Sequence, residues 1–151
     1  MRSLIIFDSN FGNTKKIAEL IAETIQGKAI SVDKVTAADL EGVDLLVVGS
    51  PINAWRPTAK ITSFLSELKK DQLKKISVAA FDTRVRSFIS GNAAKRIGKA
   101  LNRAGGELIT PPLGFYVDGK EGPLAQGEIN KAKSWAEHLR TINRNYTIKK
   151  M

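Results

Sequence analysis

Short apolar runs alternate along this chain with stretches of helical period, and that alternation leaves few folds open. The runs lie at Leu4–Phe7, Ala29–Val32, Leu45–Gly49, Ser77–Phe81 and Leu113–Val117. Each is apolar without alternation, as expected of a strand covered on both faces. Between them, Ile17, Leu20, Ile21, Thr24 and Ile25 recur at helical spacing, as do Ile61, Phe64, Leu65 and Leu68. The same spacing returns in Ala93, Ile97, Leu101 and Ala104, and in Ile129, Ala132, Ala136 and Leu139. Only "TAADLEGVD", between the second and third runs, is too short for more than a turn or two of helix. Strand followed by helix, repeated, predicts an α/β fold: one parallel sheet of five strands with helices on both faces. Gly27 after the first helix, Pro57 and Thr58 before the next, and Gly105-Gly106 after the third fit helix boundaries.

Composition narrows the chemistry. At 151 residues the chain suits a single domain, read as residues 1–143 followed by a basic tail, 144–151. The absence of cysteine excludes thiolate metal sites and thiol catalysis, and a single histidine, His138, argues against a histidine-built metal site. No apolar run approaches the roughly 20 residues of a membrane span, and "MRSLIIF" is too short for a signal peptide. These features predict a cytoplasmic protein. The net charge of +9 sets up a field that attracts acidic proteins, anionic membranes or nucleic acid. With no interleaving of basic and aromatic residues, specific nucleic-acid binding is not expected. The bland reading of the cations is that they are solvated helix faces.

In a parallel sheet the ligand site lies beyond the carboxyl ends of the strands, which singles out loops 8–14, 50–58 and 82–91. In the first, Ser9 and Thr14 carry hydroxyls, Gly12 allows close approach, and the helix that follows aims free N–H groups at the same spot. An anion fits there, although Asn13 or Thr14 serving only as a helix cap would explain part of the pattern. Neither G-x-G-x-x-G nor G-x-x-x-x-G-K-[ST] is present, which disfavours a dinucleotide fold and a nucleotide triphosphatase. The second loop, "GSPINAWRPT", places Trp55 among small and polar neighbours, either stacked on a planar ligand or packed in the fold. The third, "FDTRVRSFISG", offers Asp82 and Thr83 to a heterocycle edge, with Gly91 leading into the next helix and Arg84 and Arg86 read as solvated. A phosphoacceptor receiver shares this topology, and Asp8 closes the first strand. It would need an aspartate where Gly49-Ser50-Pro51 stands, and is rejected on that ground.

Three stretches together, "SNFGNT" at 9–14, "GSPINAWRP" at 49–57 and "FDTR...SGNAAKRIGKALNRAGGELI" from 81 to 109, resemble the flavodoxin family. "GKEGPLAQGEINKAKSWAEHL" resembles the last strand–helix unit of its short members, so the likeness covers nearly the whole chain. The resemblance implies a doubly wound five-stranded parallel sheet in the order 2-1-3-4-5, with FMN bound non-covalently. It puts Ser9, Asn10, Gly12, Asn13 and Thr14 on the phosphate, and Asn53, Ala54 and Trp55 beside the flavin ring. Asp82, Thr83 and Arg84 fall near the pyrimidine edge. Phe11, Pro51, Ile52 and Gly91 complete the expected cofactor-binding set; no catalytic side chain and no metal ligand is expected. Phe11 stands where many members have threonine, and Arg86 or Phe88 where an outer-face tyrosine is usual. The function implied is electron transport to or from a redox partner protein, here an acidic one because the chain is basic. Alternatives are an FMN-dependent quinone or protoporphyrinogen oxidoreductase using a small-molecule acceptor, and a flavin-free interaction module.

Overall fold

Ser3–Phe7 forms the first strand, β1, and is buried along its whole length. Successive side chains on a strand point to opposite faces, so Ile5 and Phe7 enter one apolar cluster while Leu4 and Ile6 enter another. The same division runs through β3 (Leu45–Pro51) and β4 (Ser77–Val85): Val47, Ala79 and Phe81 go to the first cluster, and Val48, Val78 and Ala80 to the second. A strand with a core on each side has no polar face. That is the physical origin of the unbroken apolar runs.

The computed structural model describes residues 1–86 and 91–150, with side chains through residue 145. Helices α1 (Asn13–Ile25) and α4 (Glu128–Lys150) cover the first cluster through Ile17, Ile21, Trp135 and Leu139. Helices α2 (Ala59–Glu67) and α3 (Ala93–Arg103) cover the second through Ile61, Ile97 and Leu101. α4 runs on through 144–150, the residues that composition set apart as a tail. In the first cluster Phe81, Phe115 and Trp135 meet edge-on, with ring centroids 5.8–6.1 Å apart. Each such fully buried aromatic removed to alanine costs about 3–5 kcal/mol, so this trio pins α4 to the sheet.

The remaining strands are β2 (Lys28–Ser31), β5 (Glu107–Leu108) and β6 (Leu113–Val117). All pairings are parallel, in the order β2-β1-β3-β4-β5, with β6 also beside β4. This is the expected 2-1-3-4-5 sheet with its fifth position in two pieces. β5 pairs with Ser77 and Val78, and β6 with Phe81 through Val85, so residues 109–112 stand opposite only residues 79–80. Pro111 and Pro112 have no N–H to offer a ladder; the edge strand bulges there and resumes at Leu113. "TAADLEGVD" forms a short 3-10 turn at Ala37–Leu40, and Val32–Lys34, at the end of the expected second strand, is another.

Candidate functional site

The carboxyl ends of β1, β3, β4 and β6 open on a cavity of about 340 Å³. Its first wall is the β1–α1 loop. Gly12 holds φ at +92°, the left-handed conformation that glycine alone adopts without strain, and it gives α1 no side-chain cap. Ser9 does part of that work from outside the helix, its hydroxyl oxygen accepting from the N–H groups of Gly12 (3.0 Å) and Lys15 (3.3 Å). Among the described residues, the N–H groups of Asn10, Phe11, Asn13 and Thr14 donate to nothing. Unpaired N–H groups on a turn leading into a helix form an anion-binding concavity, strengthened by the helix dipole. The Thr14 hydroxyl lies 2.8 Å from that of Thr83 and is buried, tying the first turn of α1 to the end of β4.

The second wall is a tight turn after β3. Ile52 N–H donates to Thr83 O at 3.1 Å, keeping the chain beside β4 for one residue more. Asn53 and Arg56 then exchange backbone hydrogen bonds of 2.7 and 3.0 Å across Ala54 and Trp55, whose φ angles are +49° and +70°. Two consecutive left-handed residues define a type I′ turn, a geometry usually given to glycine or asparagine. Trp55 is consequently held out at 57% exposure, beside Phe11 at 48% and Val85 at 41%. Gly91 backs this turn. A Cβ on it would sit 2.6 Å from that of Trp55, and its φ is +70°.

At the end of β4, Asp82 is wholly buried and does not line the cavity. Its carboxylate accepts from Arg84 Nε (2.7 Å) and Nη2 (2.5 Å), and from the N–H of Ala94 (2.8 Å) at the start of α3. Arg84 also reaches Asn92 Oδ1 at 3.3 Å. The hydrogen bonds to Asp82 are the main reason that the pKa of Arg84 is raised above its ordinary value. Arg84 is therefore a fixed cation in the cavity wall, not a solvated one. Arg86 lies over the ring of Tyr116, 4.5 Å from its centroid; Phe88 lies outside the described residues.

A further wall comes from the loop after β6. The Asn13 side-chain amide donates to Glu121 O at 3.1 Å, drawing that loop against the start of α1. Lys120 lies on that loop and faces the cavity, as do Val117 and Val85, which the β4–β6 ladder sets opposite one another. None of the three was anticipated from the sequence, yet "DGKEGP" directly follows the fifth apolar run, and the strand-end rule extends to it. From the expected set, Ser9, Asn10, Phe11, Asn13, Thr14, Pro51, Ile52, Asn53, Ala54, Trp55, Thr83 and Arg84 line the cavity; Gly12, Asp82 and Gly91 support it from behind. Arg84 and Lys120 are the charged lining residues, and no carboxylate is among them. The described residues contain no cluster suited to a metal ion and no helix long and apolar enough to cross a membrane.

A parallel sheet in this order, with a hydroxyl-rich loop opening α1 and an exposed indole at the end of β3, defines a flavodoxin-like α/β protein. The sequence matches the flavodoxin domain family over residues 4–116, and the chain belongs to that family. A flavodoxin of Aquifex aeolicus (strain VF5) is 38% identical over 74 residues, a stretch covering 45% of this chain and 40% of that protein. Among solved structures, a flavodoxin from the domain Archaea superposes with a TM-score of 0.81 at 20% identity, covering 95% of this chain and 99% of its own. Rubredoxin oxygen:oxidoreductase from the anaerobe Desulfovibrio gigas superposes with a TM-score of 0.78 at 20% identity; 98% of this chain matches 36% of that longer one.

Proposed function

We propose that the cavity binds FMN non-covalently and that the protein carries electrons between this flavin and a partner protein. The observation that carries the reading is the group of unpaired N–H donors at Asn10, Phe11, Asn13 and Thr14, set at the start of α1 in a cavity without a carboxylate. The donor set fits a phosphate dianion, the Ser9 hydroxyl adding a further polar contact and Lys120 a positive charge. Bound FMN would supply the one- and two-electron redox chemistry. The chain's own part is to bind, orient and tune. Trp55 offers an indole face to a planar ring. The Asn53–Arg56 turn would set backbone groups beside the ring, and Arg84, pinned by Asp82, would stand as a fixed donor in the wall. The protein incubated with FMN and desalted should retain a flavin absorbance spectrum. A colourless product would refute the reading and leave a flavin-free interaction module.

A second reading, an FMN-dependent quinone or protoporphyrinogen oxidoreductase, draws support from the exposed apolar rim of Phe11, Trp55 and Val85. Such a rim suits a planar small molecule as well as a protein. Sustained turnover of a soluble quinone without any protein partner would favour the enzyme over the carrier.

A further inference from the structure

Helix α3 carries a feature that flavin binding does not use. Its inner side is Ala93, Ala94, Ile97, Gly98 and Leu101, all buried, while Lys95, Arg96, Lys99 and Arg103 are exposed. The helix contains no acidic residue. Lys95, Lys99 and Arg103 follow one another at i, i+4 spacing, where like charges destabilise a helix, and over about 12 Å at 1.5 Å rise per residue they form a single line. Among the described residues none of the four cations takes part in a salt bridge.

The line is continued at both ends. At its upper end Asn92, the N-cap of α3, accepts a hydrogen bond from Arg84 in the cavity wall, and Gly91 backs Trp55. At its lower end Leu73 N–H donates to Ala104 O at 2.9 Å, which sets the turn 69–75 against the end of α3. That turn exposes Lys69, Lys70, Lys74 and Lys75 against one acid, Asp71. Exposed cations thus run from Lys95, in the first turn of α3 beside Asn92, down the helix to the turn 69–75 at the far end of the sheet.

We infer that this cationic track is a docking surface for an acidic redox partner protein, which lies along α3 and reaches over the Trp55 edge of the cavity. The inference rests on the electron-carrier reading and supplies its partner's chemistry. Among the described residues the large exposed apolar side chains are Met1, Phe11, Trp55 and Val85, and none of them belongs to α3 or to the turn 69–75. Continuity with the apolar rim favours a protein, since an acidic protein face with an apolar patch beside it covers both at once.

The test is a fluorescence-anisotropy titration of labelled poly-L-glutamate with the full chain. The variants are Lys95→Glu/Lys99→Glu/Arg103→Glu and a control with the same change in net charge, Lys28→Glu/Lys34→Glu/Lys133→Glu. Affinity should weaken by about tenfold or more in the track variant and by less than about threefold in the control. Lys95→Gln/Lys99→Gln/Arg103→Gln, with far-UV circular dichroism alongside, guards against a variant that fails to fold. Equal losses in the two charge-reversed variants would overturn the inference. So would tighter binding, at equal salt, to duplex DNA or to phosphatidylserine vesicles than to the acidic polypeptide. The titration requires no flavin, so a colourless wild-type protein would count against FMN binding and leave the docking result readable.

Discussion

Two loops face each other across the cavity and solve opposite problems. The β1–α1 loop meets its need for a left-handed residue with Gly12, and it leaves N–H donors unpaired. The turn after β3 is closed by the reciprocal Asn53–Arg56 pair, and it places Ala54 and Trp55, neither of them glycine, at positive φ. One loop is conformationally relaxed and gathers unpaired donors at the start of a helix; the other is pinned end to end by its own hydrogen bonds and strained. Unpaired donors await an anion, whereas stored strain of about 1–3 kcal/mol per residue presents a side chain that packing alone would bury.

Substitutions that exchange these properties test the contrast. Gly91→Ala should have the largest effect, because its Cβ would strike the backbone and Cβ of Trp55 at a positive φ. Denaturant unfolding should register a loss of about 2–3 kcal/mol, and FMN titration a weaker complex as the turn moves. Gly12→Ala should cost about 1–2 kcal/mol of stability through backbone strain alone, since nothing lies within 4 Å of the added carbon. The N–H donors around it would be re-aimed, so FMN affinity should fall as well. A loss of stability without a loss of affinity would separate the loop from the phosphate. Trp55→Ala should weaken FMN by about 1 kcal/mol or more, measured by fluorescence quenching, while changing the unfolding midpoint little because the side chain is more exposed than buried. Unchanged affinity would make the indole a packing residue. The smallest effect is expected for Ala54→Gly, a gain in stability of about 0.5–1 kcal/mol from relief of the left-handed position. A loss there would mean that the turn is not strained.

The centre of the sheet and its edge carry their structure in the sequence to different degrees. β1, β3 and β4 were legible because burial on both faces forces an unbroken apolar run, and that run is itself the signal. β5 was not legible: two residues, Glu107 and Leu108, carry no periodicity, and Pro111-Pro112 hides its continuity with β6. At the site, the strand-end rule led to three of the four loops. Asp82 read as a ligand for a heterocycle because it is polar and well placed in the chain, but residues i and i+2 on a strand share a face. That face sets Asp82 beside Arg84, and a buried carboxylate takes the nearest guanidinium. Lys120 went unseen because the loop that carries it is held by one long-range contact, from Asn13 to Glu121, and Val117 because its place follows from the pairing of β6 with β4.

Local chemistry was sufficient for the strand and helix segments, the glycine-dependent loop and the aromatic beside it, since each depends on residues adjacent in the chain. The two-piece edge strand, the pinning of Arg84, the fourth wall and the cationic track from α3 to the turn at 69–75 were decided only by the packed sheet. The edge strand, the fourth wall and the junction of α3 with the turn 69–75 join residues distant in sequence, and Arg84, though only two residues from Asp82, is pinned because the packed sheet buries that carboxylate.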